Sequence, residues 1–119
     1  MARISAADEY GMVQCVSCDK RLHWKEADGG HYIAKGSSSY WALEIENVHP
    51  QCKGCNAFGM SKGSAEGQYT LWMIDWYGED FVRQMHQDKR KIKKLYTADY
   101  REMLKEFNEL IKYHEDRLL

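Results

Sequence analysis

Apolar positions follow two different patterns along this chain. Up to about residue 63 they come in short runs broken by Gly, Ser and charged side chains. From residue 69 onward they recur at three- and four-residue steps, the spacing of one face of a helix. In this second region Tyr69, Trp72, Met73, Trp76 and Tyr77 predict a helix that Gly78 ends. Phe81, Val82, Met85 and Ile92 predict another, with Glu79 and Asp80 in its first turn. Asp99, followed three residues on by Glu102, reads as a capping-box start to a last helix. Its stripe is Tyr100, Met103, Leu104, Phe107, Leu110, Ile111 and Leu118. Such stripes predict core packing. Part of the last one is alternatively a dimer seam.

The first region predicts smaller pieces. A short helix fits residues 3–10, ahead of Gly11, and a strand fits 12–15. Residues 20–26 read as strand or loop, and Asp28-Gly29-Gly30 as a turn. Strands are expected over 31–34 and 40–45, separated by a polar loop at 35–39. A short helix opens over 56–60. The sum is an α+β chain whose helices are concentrated in its second half.

Composition narrows what such a chain does. At 119 residues it suits one domain, and 44% hydrophobic with 13% aromatic content excludes wholesale disorder. No apolar run approaches the roughly 18 residues of a membrane span. The N-terminal residues form no apolar signal region, so the expected compartment is the cytoplasm. Seventeen Lys and Arg against 18 Asp and Glu leave a net charge of −1, which excludes a highly basic coat protein. A nucleic-acid enzyme needs only a local basic face, and Lys89, Arg90, Lys91, Lys93 and Lys94 crowd one short stretch.

The four cysteines form two CxxC pairs, Cys15-Val-Ser-Cys18 and Cys52-Lys-Gly-Cys55. Two such knuckles complete a tetrahedral four-thiolate site for structural zinc. Disulfides would need an oxidising compartment. A thioredoxin-like reading needs one CxxC opening a helix, which fits two paired motifs poorly. The long segment between the knuckles must loop out from the metal and return.

That segment carries Gly30-His31-Tyr32-Ile33 and ends in Asn47-Val48-His49-Pro50-Gln51-Cys52, with Asn56 directly after Cys55. A zinc staple needs neither the histidines nor the asparagines. In this combination the chain resembles the NinG (Rap) family of lambdoid phage recombination nucleases, within the zinc-stapled HNH nucleases. The resemblance runs from about Cys15 to the C-terminus and implies a ββα-metal core over 12–63 with a helical extension over 64–119. It implies a metal-dependent DNA endonuclease of branched recombination intermediates, resembling a Holliday junction resolvase and working as a homodimer in the cytoplasm of a phage's bacterial host. By the same resemblance His31 is the general base, a role suited to an imidazole titrating near neutral pH. Asn56 becomes a ligand of a catalytic Mg²⁺ or Mn²⁺, and Asn47 a support for the loop that orients the base.

Many HNH enzymes place Asp or Glu directly before the base, where this chain has Gly30. His49 is the first candidate to replace that ligand, and Asp28, Glu44 and Glu46 are weaker ones. Lys35, Lys53, Lys62, Lys89, Arg90 and Lys91 are the cations available for DNA phosphates. Trp24 and Trp41 fit core packing, with base stacking as their other use. His86 and His114 receive no role. Two other readings stay open: a generic HNH nicking enzyme on duplex DNA, and a catalytically inactive zinc module that binds nucleic acid.

Overall fold

The computed structural model describes residues 1–118, so the last residue of the predicted 64–119 extension lies outside the described residues. Its elements run α1 (Ala2–Ser5), β1 (Met12–Gln14), β2 (Arg21–His23), β3 (Asp28–His31), β4 (Val48–Gln51), α2 (Met60–Lys62), α3 (Ala65–Tyr77), α4 (Glu79–Asp88) and α5 (Thr97–Arg117). β1 and β2 pair antiparallel around the first knuckle, with Val13 opposite Leu22. β3 and β4 form a second antiparallel hairpin, with Gly30 opposite His49 and His31 opposite Val48. The Val16 N–H donates to the Pro50 carbonyl at 3.1 Å and ties the first knuckle to β4.

The helices follow the periodic pattern. Gly78, at φ 92°, separates α3 from α4 in a conformation that costs glycine little. Tyr69, Met73, Val82 and Met85 from this pair pack with Val16, Tyr32, Ile33 and Trp41 into the main core. Trp41 is a core residue, its indole N–H donating to the Met85 carbonyl at 3.1 Å. A smaller cluster of Ala7, Val13, Leu22 and Ala27 takes Trp24 and Leu118 at its edge. Trp24 and Trp41 therefore both pack.

The predicted turn at 28–30 is the body of β3, because Gly30 sits flat against the Gln51 side chain. The predicted strand over 40–45 is a series of turns; its apolar residues reach the buried core through Trp41, while Ile45 stays 55% exposed. Residues 48–51, read only as an approach to the knuckle, are β4. The helix after Cys55 begins as a wide π-helical turn, Cys55–Gly59. The first helix covers Ala2–Ser5 only. α4 stops at Asp88, leaving Ile92 exposed. α5 starts earlier than Asp99: the Asp99 carboxylate accepts the Tyr96 N–H at 2.9 Å and caps the helix from inside its first turn. No residue of α5 is buried, so its stripe is not a core face of this chain. The C-terminal end of α5 is tied to α1, where Arg117 donates to the carbonyls of Ile4 and Ala7 at 3.1 and 2.9 Å.

Candidate functional site

The knuckles converge as their spacing predicts. The ligand atoms of Cys15, Cys18, Cys52 and Cys55 all lie within 4.8 Å of one another, with the Sγ atoms of Cys18 and Cys52 3.7 Å apart. A tetrahedral ion with metal–sulfur bonds of about 2.3 Å sets its sulfurs about 3.8 Å apart. The four thiols can hold a structural ion such as zinc. Asp19 takes φ 62° to turn the chain back after the first knuckle, and the Asn56 N–H donates to the Cys52 carbonyl at 3.0 Å in the second. The thiols do not share their protons evenly. Burial raises the Cys52 thiol, but the Cys55 N–H and the neighbouring thiols outweigh it and bring Cys52 down to about 7. Burial and its neighbours push the Cys55 thiol upward.

The chain matches the family model described as Bacteriophage Lambda NinG protein over residues 3–116. It belongs to the NinG family. Compared with curated proteins and with solved structures, it matches none. The match spans the cysteine knuckles, the hairpin between them and the helices beyond.

His31 closes β3, half-buried, with Nε2 2.9 Å from the Ala42 carbonyl. A carbonyl only accepts, so Nε2 carries the proton and Nδ1 keeps its lone pair. Asn47 secures the turn beyond. Fully buried, it accepts the Ile33 N–H at 2.8 Å and donates to the carbonyls of Ile33 and Trp41 at 2.9 and 3.1 Å. One side chain thus pins both ends of the loop that carries Ala42. His31 opens on two clefts. An apolar one of about 240 Å³ includes Leu43, Glu44, Val48 and Phe107. The other, about 420 Å³, includes Tyr32, Glu66, His86, Lys89 and Arg90.

His49 has a different setting. Its Nδ1 lies 2.9 Å from the Tyr69 hydroxyl and its Nε2 2.9 Å from the Tyr77 hydroxyl, with Trp72 packed on the ring at 4.6 Å. Tyr69 spends its one proton on the Gly30 carbonyl at 2.8 Å. It must therefore accept from His49 Nδ1–H, and Tyr77 must donate to Nε2. The protons run in one direction, from Tyr77 through His49 and Tyr69 to the peptide that joins Gly30 to His31. Burial lowers the His49 pKa to about 4, so the ring is neutral throughout this chain of bonds. With both nitrogens taken, His49 has no lone pair to offer a metal. The expected ligand role does not fit this geometry, and none of its tyrosine partners has a signal in the sequence beyond an apolar stripe.

Gly30 explains the missing acid. A Cβ there would collide with Gln51 Oε1 and stand 2.6 Å from its Cδ. Gln51 is fully buried and donates to Ser17 Oγ at 2.9 Å, so it does not swing aside. Its Oε1, a buried oxygen without a hydrogen-bond partner among the described residues, faces that glycine.

The remaining expected residues separate. Asn56 donates to Asp28 Oδ2 at 3.1 Å, and Lys53 to Asp28 Oδ1 at 2.8 Å. The Lys53 and Asn56 bonds, against a burial penalty, hold the Asp28 carboxyl below its ordinary range. Asp28 and His31 stand three residues apart on β3, so alternation turns them to opposite faces of the hairpin. Of the other candidate acids, Glu44 shares the apolar cleft with His31 and pairs with Lys93 at 2.5 Å. Glu46 is half-buried beside Asn47 in sequence and shares neither cleft with His31. The basic stretch also divides. Lys91 pairs with Asp88 at 2.9 Å and Lys93 with Glu44, whereas Lys89 and Arg90 line the cleft beside His31. Lys35 and Lys62 are exposed.

Proposed function

We propose that this chain is a metal-dependent endonuclease of the HNH, ββα-metal type that hydrolyses phosphodiester bonds in branched DNA, with His31 as general base. The observation that carries the reading is the mounting of His31. Its Nε2–H is fixed on a carbonyl of a loop clamped by buried Asn47, its other nitrogen has no hydrogen-bond partner among the described residues, and the residue borders both the cleft lined by Lys89 and Arg90 and the one that includes Glu44. A base needs a defined tautomer, an orienting partner and access to water. The NinG-family match supports the same reading.

A catalytic Mg²⁺ or Mn²⁺ would supply charge relief on the phosphate and on the leaving oxygen. Oxygen donors suit such an ion. Glu44 is the acid that shares the apolar cleft with His31, and Asp28 with Asn56 offers a carboxylate and an amide on the other face. We assign the ion to Glu44, because base and ion must reach one phosphate. Lys93, now paired with Glu44, would have to give it up to the ion. Cutting two strands of a junction calls for two copies, and the exposed Tyr100 and Leu104 of α5 offer the seam.

A binding-only reading draws on one specific observation: no carboxylate stands next to His31 on β3, where Gln51 fills the space. Cleavage decides between the two. End-labelled four-way junction, forked duplex and plain duplex of matched sequence are incubated with Mg²⁺ and with Mn²⁺. The expected result is junction-selective cutting, lowered about 100-fold or more in His31→Ala and lowered in Glu44→Gln. Cutting that survives His31→Ala intact overturns the base assignment. Loss in Asp28→Asn with Glu44→Gln unaffected moves the ion to the other face. Junction binding without any cutting establishes the binding module.

A further inference from the structure

The larger cleft beside His31 contains a second imidazole. His86, on α4, is exposed and stands on the cleft wall with Tyr32, Glu66, Lys89 and Arg90. Its hydrogen bonds fix its tautomer. Thr70 donates to the Glu66 carbonyl at 3.1 Å, which uses its only proton. Thr70 Oγ1 must then accept from the Tyr32 hydroxyl, 2.8 Å away. Tyr32 in turn must accept from His86 Nε2–H at 2.8 Å. His86 is left with Nδ1 as its unengaged nitrogen, one that accepts a proton but has none to give.

Charge around this nitrogen is lopsided. Lys89 lies three residues on along the same chain stretch, and Arg90 follows it. His31 stands across the cleft, and Glu66 is the one acid on its wall. Neither Lys89 nor Arg90 takes part in a salt bridge among the described residues, while Lys91 and Lys93 are both neutralised. Two free cations, a titratable ring and the base converge on one open groove of about 420 Å³.

We propose that this groove binds a backbone phosphate of the DNA strand, with His86 taking up one proton from solvent as the phosphate arrives. Nδ1–H then donates to a phosphate oxygen, flanked by Lys89 and Arg90, and Nε2–H stays on Tyr32. The phosphate would lie against the same groove that His31 faces, so the site guides the strand toward the base. In the free protein burial and the nearby Lys89 charge depress His86, with Glu66 acting the other way. That bias favours the neutral ring until an anion arrives. The inference rests on the reading of the chain as a DNA-acting protein, but concerns binding and not cleavage.

The test is fluorescence anisotropy of a labelled four-way junction, without added divalent ion, at pH 6 and pH 8 over a range of salt. His86 is exposed, so its replacement leaves the fold standing. Wild-type binding is expected to tighten about 3- to 10-fold from pH 8 to pH 6, an advantage that His86→Ala abolishes. Arg90→Ala and Lys89→Ala are each expected to weaken binding at both pH values and reduce the salt slope by about one. Lys112→Ala, on exposed α5, is the control and binds as wild type. A second readout is the His86 ring by NMR, whose protonation midpoint should rise when junction is added. Equal loss in His86→Ala at both pH values, or an unmoved midpoint, overturns the proposal. A wild type that binds in this way without cutting any DNA leaves the proposal standing and removes only the endonuclease reading.

Discussion

Gly30 and His49 face each other across the β3–β4 hairpin, and each is held by what its neighbours leave open. The Gln51 carboxamide fills the space a side chain at position 30 would need. Gly30→Ala should cost about 1–3 kcal/mol as an overpacking change. Urea unfolding would measure it, and the double variant with Gln51→Ala should lose less than the sum of the two single variants. Gly30→Asp, which puts an acid before His31, should lower stability further by burying a charge, and should not raise activity. His49 yields a pH signature. Its folded pKa is about 4, against an ordinary value near 6.5 in the unfolded chain. The unfolded chain therefore binds more protons in that window, and stability falls as pH drops from about 6.5 toward 4. His49→Gln keeps a donor and an acceptor but does not titrate. Wild type should lose about 3 kcal/mol relative to that variant between about pH 7 and pH 4, read by urea unfolding of both. A constant difference would place the ring in water.

The elements were legible to different degrees, for physical reasons. α3, α4 and α5 show their period because each presents a face at helical spacing, whether or not anything covers it. The stripe of α5 states which face is apolar and nothing about a partner, which is why core packing and a dimer seam stood as alternatives. The 28–31 strand was hidden because Asp-Gly-Gly reads as a turn until the Gln51 side chain that replaces a Cβ is known. The loop over 40–45 has strand-like composition, yet Trp41 is drawn inward and Asn47 ties Trp41 to Ile33 by three hydrogen bonds. Such long-range side-chain ties leave no periodic trace. The tyrosines on His49 were visible only as core positions. Between α3 and α4, Gly78 holds φ 92°. Gly78→Ala should lower stability by about 1 kcal/mol and tilt α4 against α3, seen as a lower melting temperature by circular dichroism.

At the scale of the molecule, the four thiols join two hairpins, which also meet through the Val16 to Pro50 hydrogen bond. The two CxxC pairs announced this cysteine cluster, because the spacing within each knuckle is a local property. Removing the ion should uncouple the hairpins while the α3–α4 core keeps helical content. Titration with a chromogenic chelator should release one zinc per chain, with a large fall in melting temperature and a smaller loss of helical circular dichroism. Retention of the full melting temperature after release would show that the thiols are not a structural staple. None of the helices among the described residues is long and apolar enough to cross a membrane.

The grip of Arg117 on the carbonyls of Ile4 and Ala7 has a consequence for synthesis. A ribosome releases residue 7 long before residue 117. The two knuckles can close as soon as Cys55 emerges, and the α3–α4 core soon after, because their contacts are complete by then. α1 itself can settle early on β3 and β4, but the Ile4 and Ala7 carbonyls stay open to water until nearly the whole chain is out. A newborn chain therefore passes through a stage with its four cysteines gathered and α1 seated, but not yet clasped by α5. A nascent chain stalled before residue 117 should hold zinc while protease cuts its first residues faster than in the finished chain.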